Sequence, residues 1–307
     1  MVRSISGRGI PVNGRSVYLE EQGRGPDWVV FEAGAGCGRT FWDPVVPLLE
    51  KDAHTVAYDR AGRARSGRIS TQLSVDGMAA DLVSMVEEIV PDRLILVAHS
   101  LGGLVARRAA ETLGTRLRGL LLVDPLPETS PTYDTWDQTT KKVDRMLALT
   151  QQLVRIRPLA RGLTHSIKDL FPPDTYQAML DEDYTRAGTI QTRNEMRAVA
   201  AAIPEFRATP PVPPNCPTIV VSAGRPEKGR ERQNSLAQEH QRLYAENLPN
   251  GRSTIADSRH FIPAEQPALI ATFVKQLLSE TAHDNDSLSG PNRGRPEQDP
   301  STTPGGM

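Results

Sequence analysis

An α/β fold with a mostly parallel central sheet flanked by helices is predicted from three observations. Short apolar runs recur along the chain, each bounded by glycine, proline or a charge. Helical apolar periodicity fills the gaps between them, and the two kinds of segment alternate. Continuous apolarity marks strands buried on both faces, and strand–helix alternation is the order that a doubly wound parallel sheet requires.

In chain order, Arg15 to Glu21 reads as an amphipathic first strand, followed by buried runs at Trp28 to Phe31, Thr55 to Tyr58, Leu94 to Ala98, Leu120 to Val123 and Thr218 to Val221. Arg252 to Ala256 reads as the last strand. One helical face is formed by Val75, Met78, Ala79, Leu82, Val83, Val86, Ile89 and Val90, with Asp76 near its N-terminus, where the helix dipole favours negative charge. A second comprises Leu101, Leu104, Val105 and Ala109. A third, with Leu269, Ile270, Phe273, Val274, Leu277 and Leu278, follows Pro263 at an expected helix start. After Asp124 the alternation stops until Thr218. The intervening stretch has helical patterns and proline punctuation but no buried strand, which predicts a helical cap over 126–214 inserted into a core of 1–125 and 215–280. From Thr281 to Met307 there is almost nothing to bury, so 281–307 is expected to be a disordered tail.

Bulk properties narrow the function. With 36 Lys+Arg against 37 Asp+Glu in 307 residues, no global field attracts polyanions, which argues against nucleic acid and for a small, roughly neutral partner. Two cysteines are too few for a disulfide framework. No apolar run is long enough for a signal-peptide core or a membrane span, so a cytoplasmic protein is expected. No cluster has metal-ligand spacing and no glycine-rich loop carries a dinucleotide or phosphate fingerprint, so no metal or cofactor is expected.

The chemistry centres on LILVAHSLGG, Leu94 to Gly103: a buried strand, a serine among small residues, then a helix. At such a strand-to-helix turn Ser100 points its hydroxyl out of the sheet, and Ala98 and Gly102 leave room for the turn to pack. The helix start aims free N–H groups at an oxyanion forming beside the serine.

With this elbow the chain resembles the α/β-hydrolase family, over about Arg15 to Leu278. The α/β-hydrolase fold is what the resemblance implies, in its serine-nucleophile branch with a helical lid after the strand ending at Asp124. FEAGAG, Phe31 to Gly36, occupies the family's oxyanion loop, with Ala33-Gly34 where many relatives have His-Gly. The resemblance then makes the backbone N–H groups of Ala35 and Leu101 the oxyanion donors. YDRAGRARS, Tyr58 to Ser66, is similar to the family's Asp-Arg turn, with Ala64 replacing a glycine; Asp59 and Arg60 are expected to form a structural charge pair. Lying in the oxyanion loop, Cys37 has no second cysteine or paired histidine nearby in sequence and is not expected to act as a nucleophile.

A serine nucleophile requires a base. His260, in DSRHFIPAEQP, stands after the last strand, where the family's histidine loop lies; His54, His99, His165, His240 and His283 have weaker contexts. The acid has two candidates: Asp124, which directly follows LLLV, and Glu227, in the charged loop after VVSAG. Asp124 is preferred, and Asp257 is too close to His260 along the chain. The resemblance implies a serine hydrolase or acyl transferase, esterase-like, acting on a small, partly hydrophobic ester, thioester or amide. A lyase or cofactor-free oxidative enzyme on the same fold, or a ligand-binding protein, remain alternatives. Serine at the elbow disfavours enzymes that need a carboxylate nucleophile there. Trp136, Met146, Leu147 and Phe171 are candidates to line the substrate pocket or to form the lid's own small core.

Overall fold

The computed structural model describes residues 6–69 and 72–288. Among these, eight strands form one sheet in the order β1-β2-β4-β3-β5-β6-β7-β8. They are β1 (Ser6–Val12), β2 (Arg15–Gln22), β3 (Asp27–Glu32), β4 (Ala53–Asp59), β5 (Leu94–His99), β6 (Leu117–Val123), β7 (Thr218–Ala223) and β8 (Gly251–Ala256). β1 and β2 run antiparallel to their neighbours, and every pairing from β4 to β8 is parallel.

The helices are α1 (Val75–Ile89), α2 (Leu101–Leu113), α3 (Trp136–Leu153), α4 (Arg157–Leu163), α5 (Pro173–Glu182), α6 (Arg186–Ala208), α7 (Glu231–Glu246), α8 (Ile262–Glu265) and α9 (Pro267–Leu288). Helices α3 to α6 therefore lie between β6 and β7, with no strand there among the described residues. The helix with the Leu269–Leu278 face starts at Pro267, because Pro263 belongs to the separate short turn of helix α8. It also runs to Leu288, past the boundary of 280 expected for order; 289–307 lies outside the described residues.

The strands' apolar runs are continuous because each strand serves two cores. Leu94, Leu96 and Ala98 of β5 pack with α1 and α2 on one face of the sheet, whereas Ile95 and Val97 pack with Trp42 and the α9 residues Ile270, Val274 and Leu277 on the other. β6 repeats the division, with Leu120 and Leu122 on the first face and Leu121 and Val123 on the second. The Ser74 hydroxyl caps α1 by accepting from the Gly77 N–H at 3.0 Å. Parallel strands from β3 onward end on one edge, and the turns there carry the groups described next.

Candidate active site

Ser100 lies between the end of β5 and the first residue of α2 with φ 54° and ψ −120°. A non-glycine residue at such φ costs on the order of 1–3 kcal/mol and persists only where its surroundings enforce it. Here the Ser100 N–H donates to the Val123 carbonyl at 3.0 Å and the Gly103 N–H donates to the Ser100 carbonyl at 2.9 Å. Close packing explains the small neighbours: Ala98 is fully buried, and a Cβ on Gly102 would stand 2.7 Å from the carbonyl oxygens of Glu32 and Ala33.

His260, in the loop after β8, brings its Nε2 to 3.1 Å from Ser100 Oγ. Its Nδ1 lies 2.6 Å from Asp124 Oδ2, so Nδ1–H donates to the carboxylate and Nε2 is left to accept from the hydroxyl. Asp124 follows β6 directly at φ 43°, and its Oδ1 accepts from Gln241 Nε2 at 3.0 Å and from the Ala223 N–H at 3.2 Å. Burial alone would raise the Asp124 pKa, but hydrogen bonding and charge from His260, with the Gln241 and Ala223 donors, hold it below the usual carboxylate value. For His260 burial disfavours the imidazolium. The hydrogen bond and charge of Asp124, with a contribution from Glu227, outweigh burial and place its pKa above the ordinary histidine value.

Glu227 is exposed in the loop after β7, 3.8 Å from Arg230, and its carboxylate makes no hydrogen bond to His260 among the described residues. Of the two candidate acids, the fold brings only Asp124 to the imidazole. Ala35 and Leu101 both border the same cavity as Ser100 and His260. Leu101 opens α2, so its N–H has no acceptor within the helix. Ala35 sits in a turn closed by the Cys37 N–H donating to the Gly34 carbonyl at 3.3 Å, with Gly36 at φ +80°, a conformation that side chains seldom adopt.

Asp59 and Arg60 do not pair with each other as expected. Asp59 accepts from Arg39, and Arg60 pairs with Glu32 and Glu195. In these salt bridges each side chain finds its partner on another element: the sequence neighbours of a tight turn point apart. Cys37 is buried and its thiol is pushed up to about 12 by burial, so no thiolate is available there. Glu195 and Gln241 were invisible to sequence reasoning, since each lies on an ordinary helix without a motif.

His99, the residue before the elbow serine, is buried between Phe41 and His260, with ring centroids 4.7 Å from each. Its Nε2 donates to the His260 carbonyl at 2.9 Å, which ties the histidine loop to the elbow. Burial, then the neighbouring His260, drives its pKa down to about 3, so it stays neutral.

The cavity beside these groups has a volume of about 420 Å³. Its lining includes the apolar Leu126, Met196, Val199 and Phe261 and the polar or charged Arg225, Glu227, Arg230, Gln233 and Asn234. Of the candidate pocket residues, none whose side chain is described lines this cavity. Phe171 is buried against Phe41 at 6.0 Å, Met146 is 58 % exposed, and Leu147 is not in this lining; the Trp136 side chain lies outside the described residues. It is α6 that reaches the cavity, through Met196 and Val199. No described helix is long and apolar enough to cross a membrane.

An elbow serine, an imidazole and a carboxylate at the strand ends of such a sheet define the α/β-hydrolase class. The model of the Alpha/beta hydrolase family matches residues 29–273, and the chain belongs to that family. Among curated proteins it is 29% identical over 182 residues to a protein of Serratia proteamaculans provisionally named carbamate hydrolase RutD, covering 56% of this chain and 63% of the relative. A RutD of Azorhizobium caulinodans, with the same provisional name, is 30% identical over 108 residues, 35% of this chain and 40% of its own length. The chain thus spans less than two thirds of these relatives. Solved structures share the fold. A provisionally assigned α/β hydrolase from Nostoc sp PCC 7120 superposes with a TM-score of 0.73 at 19% identity, covering 90% of this chain and 98% of its own. A provisionally assigned epoxide hydrolase from Pseudomonas aeruginosa gives 0.71 at 16% identity, covering 92% and 98%.

Proposed function

We propose that this protein is a serine hydrolase that cleaves a small carbonyl substrate through a covalent acyl-enzyme. The observation that carries the reading is the continuous relay from Ser100 Oγ through His260 to Asp124, at 3.1 and 2.6 Å. His260 Nε2 takes the hydroxyl proton as Ser100 Oγ attacks the carbonyl carbon. The oxyanion that forms accepts from the Ala35 and Leu101 N–H groups. Collapse breaks the bond to the leaving group, which receives the proton from His260. Water, activated by the same imidazole, then attacks the acyl carbon, and Ser100 Oγ regains its proton as the acid product departs.

The mixed apolar and polar lining of the cavity supports a small substrate that is partly hydrophobic. Esters, thioesters and amides fit this chemistry. The names of the RutD relatives add carbamates, whose carbonyl is open to the same attack. An alcohol oxygen rather than a carboxylate at the elbow favours this reading over the epoxide opening named for some structural neighbours. A fluorophosphonate probe tests the assignment: it should label the wild type at a peptide containing Ser100 and leave Ser100→Ala unlabelled. Labelling that persists in the variant would refute it.

The base must be unprotonated to act. Because Asp124 raises the His260 pKa, the acid limb of kcat/KM should lie above the ~6.5 of an ordinary histidine, with activity falling as pH drops through it. A pH–rate profile over pH 5 to 9, with limb positions read from kcat/KM, checks this. A limb at or below the ordinary value contradicts the arrangement.

A further inference from the structure

We propose that Glu195 and Arg60 form a positioning clamp that aims the Ala35 N–H at the oxyanion, so that α6 must be seated for the hole to exist. The inference rests on the acyl-transfer reading above. It starts from the geometry of one peptide unit. Trans peptides are planar, so the N–H of Ala35 points opposite to the C=O of Gly34. That carbonyl accepts from Arg60 Nη2 at 2.7 Å, and the preceding Ala33 carbonyl accepts from Arg60 Nη1 at 2.6 Å. A guanidinium gripping both oxygens on one side therefore directs the Ala35 N–H to the other.

Glu195, fully buried on α6, holds that guanidinium and the next peptide together. Its Oε1 accepts from Arg60 Nη2 at 2.9 Å and Nε at 3.2 Å, and its Oε2 accepts from the Gly36 N–H at 2.8 Å. Arg63, also fully buried, adds donors at 3.1 and 2.8 Å to the two carboxylate oxygens. The peptides on both sides of Ala35 are thus fixed by side chains, and one of those side chains comes from an element about 160 residues away along the chain. Its sequence neighbour Met196 lines the cavity. A substrate that touches α6 therefore touches the element that sets the oxyanion donor. Burial would favour protonated Glu195, but the charges of Arg60 and Arg63 hold its pKa below the ordinary value and keep it ionised.

The test compares Glu195→Ala and Glu195→Asp with the wild type, using the full chain and a series of nitrophenyl esters. Losing one oxyanion donor typically lowers kcat by about 10² to 10³. Glu195→Ala should fall by about 10² in kcat with KM changed less than about threefold, and Glu195→Asp, whose carboxylate is one methylene short, should fall in between. Glu128→Gln is the control: it breaks a buried pair with Arg107, bound at 2.5 and 2.7 Å, and should lower Tm while leaving kcat alone. A second measurement needs no variant: amide-resolved hydrogen exchange of the wild type should show the Gly36 N–H protected like the sheet core.

Folded variants with kcat within about twofold of wild type, or a Gly36 amide that exchanges like an open turn, overturn the clamp. If neither variant folds, the exchange result decides. Failure of Ser100 labelling in the wild type strikes the hydrolase reading instead, so the two failures are told apart.

Discussion

Replacing Ser100 by alanine is expected to lower kcat by about 10⁶ while leaving the fold and substrate affinity nearly intact, measured by turnover on the best nitrophenyl ester and by circular dichroism. The size follows from the attack geometry. With Oγ gone, His260 Nε2 has no hydroxyl at 3.1 Å to deprotonate, and only binding and the backbone donors remain to assist water. His260→Ala should cost about as much, and the double variant little more, because the two groups act on one proton. Additive losses would mean that they work in separate steps.

The second large effect concerns the acid. Asp124→Asn is expected to lower kcat by about 10⁴, since an amide at this site would donate toward Nδ1 and turn Nε2 into a donor that cannot receive the serine proton. Glu227→Gln should stay within about threefold of wild type, because Glu227 influences His260 by charge alone. Measuring both variants at the pH optimum distinguishes the two carboxylates. The reverse ranking would move the acid to the loop after β7.

Much of this architecture was legible because it depends on local pattern. Buried strands on two-sided sheets have to be apolar throughout, so β3 to β7 stand out from their composition. Ser100 was legible because a strained strand-to-helix turn needs small residues around it, and His260 because its loop after the last strand resembles the family's histidine loop. β1 was missed for the opposite reason. SGRGIPV is an edge strand that sends Ile10 and Val12 inward and pairs through its backbone with β2, so its sequence has little apolarity to show. Pro263 misled because two prolines precede the last helix, and only packing decides which one begins it. The choice between pocket and core stayed open because helical periodicity says that a face is apolar but not what it meets: Phe171 meets Phe41, and Met196 and Val199 meet the cavity. Glu195 left no trace, since a glutamate on a helix is ordinarily solvated and its burial arises from partners about 130 to 160 residues distant along the chain.

The order of the strands has a consequence for biosynthesis. Ser100 follows the fifth described strand and Asp124 the sixth, yet His260 follows the eighth, which pairs with the seventh. A nascent polypeptide still emerging from the ribosome can hold its oxygen nucleophile and carboxylate for well over a hundred codons without an imidazole to join them. A chain that stops between Asp124 and His260 carries the proposed nucleophile and acid but lacks the proposed base.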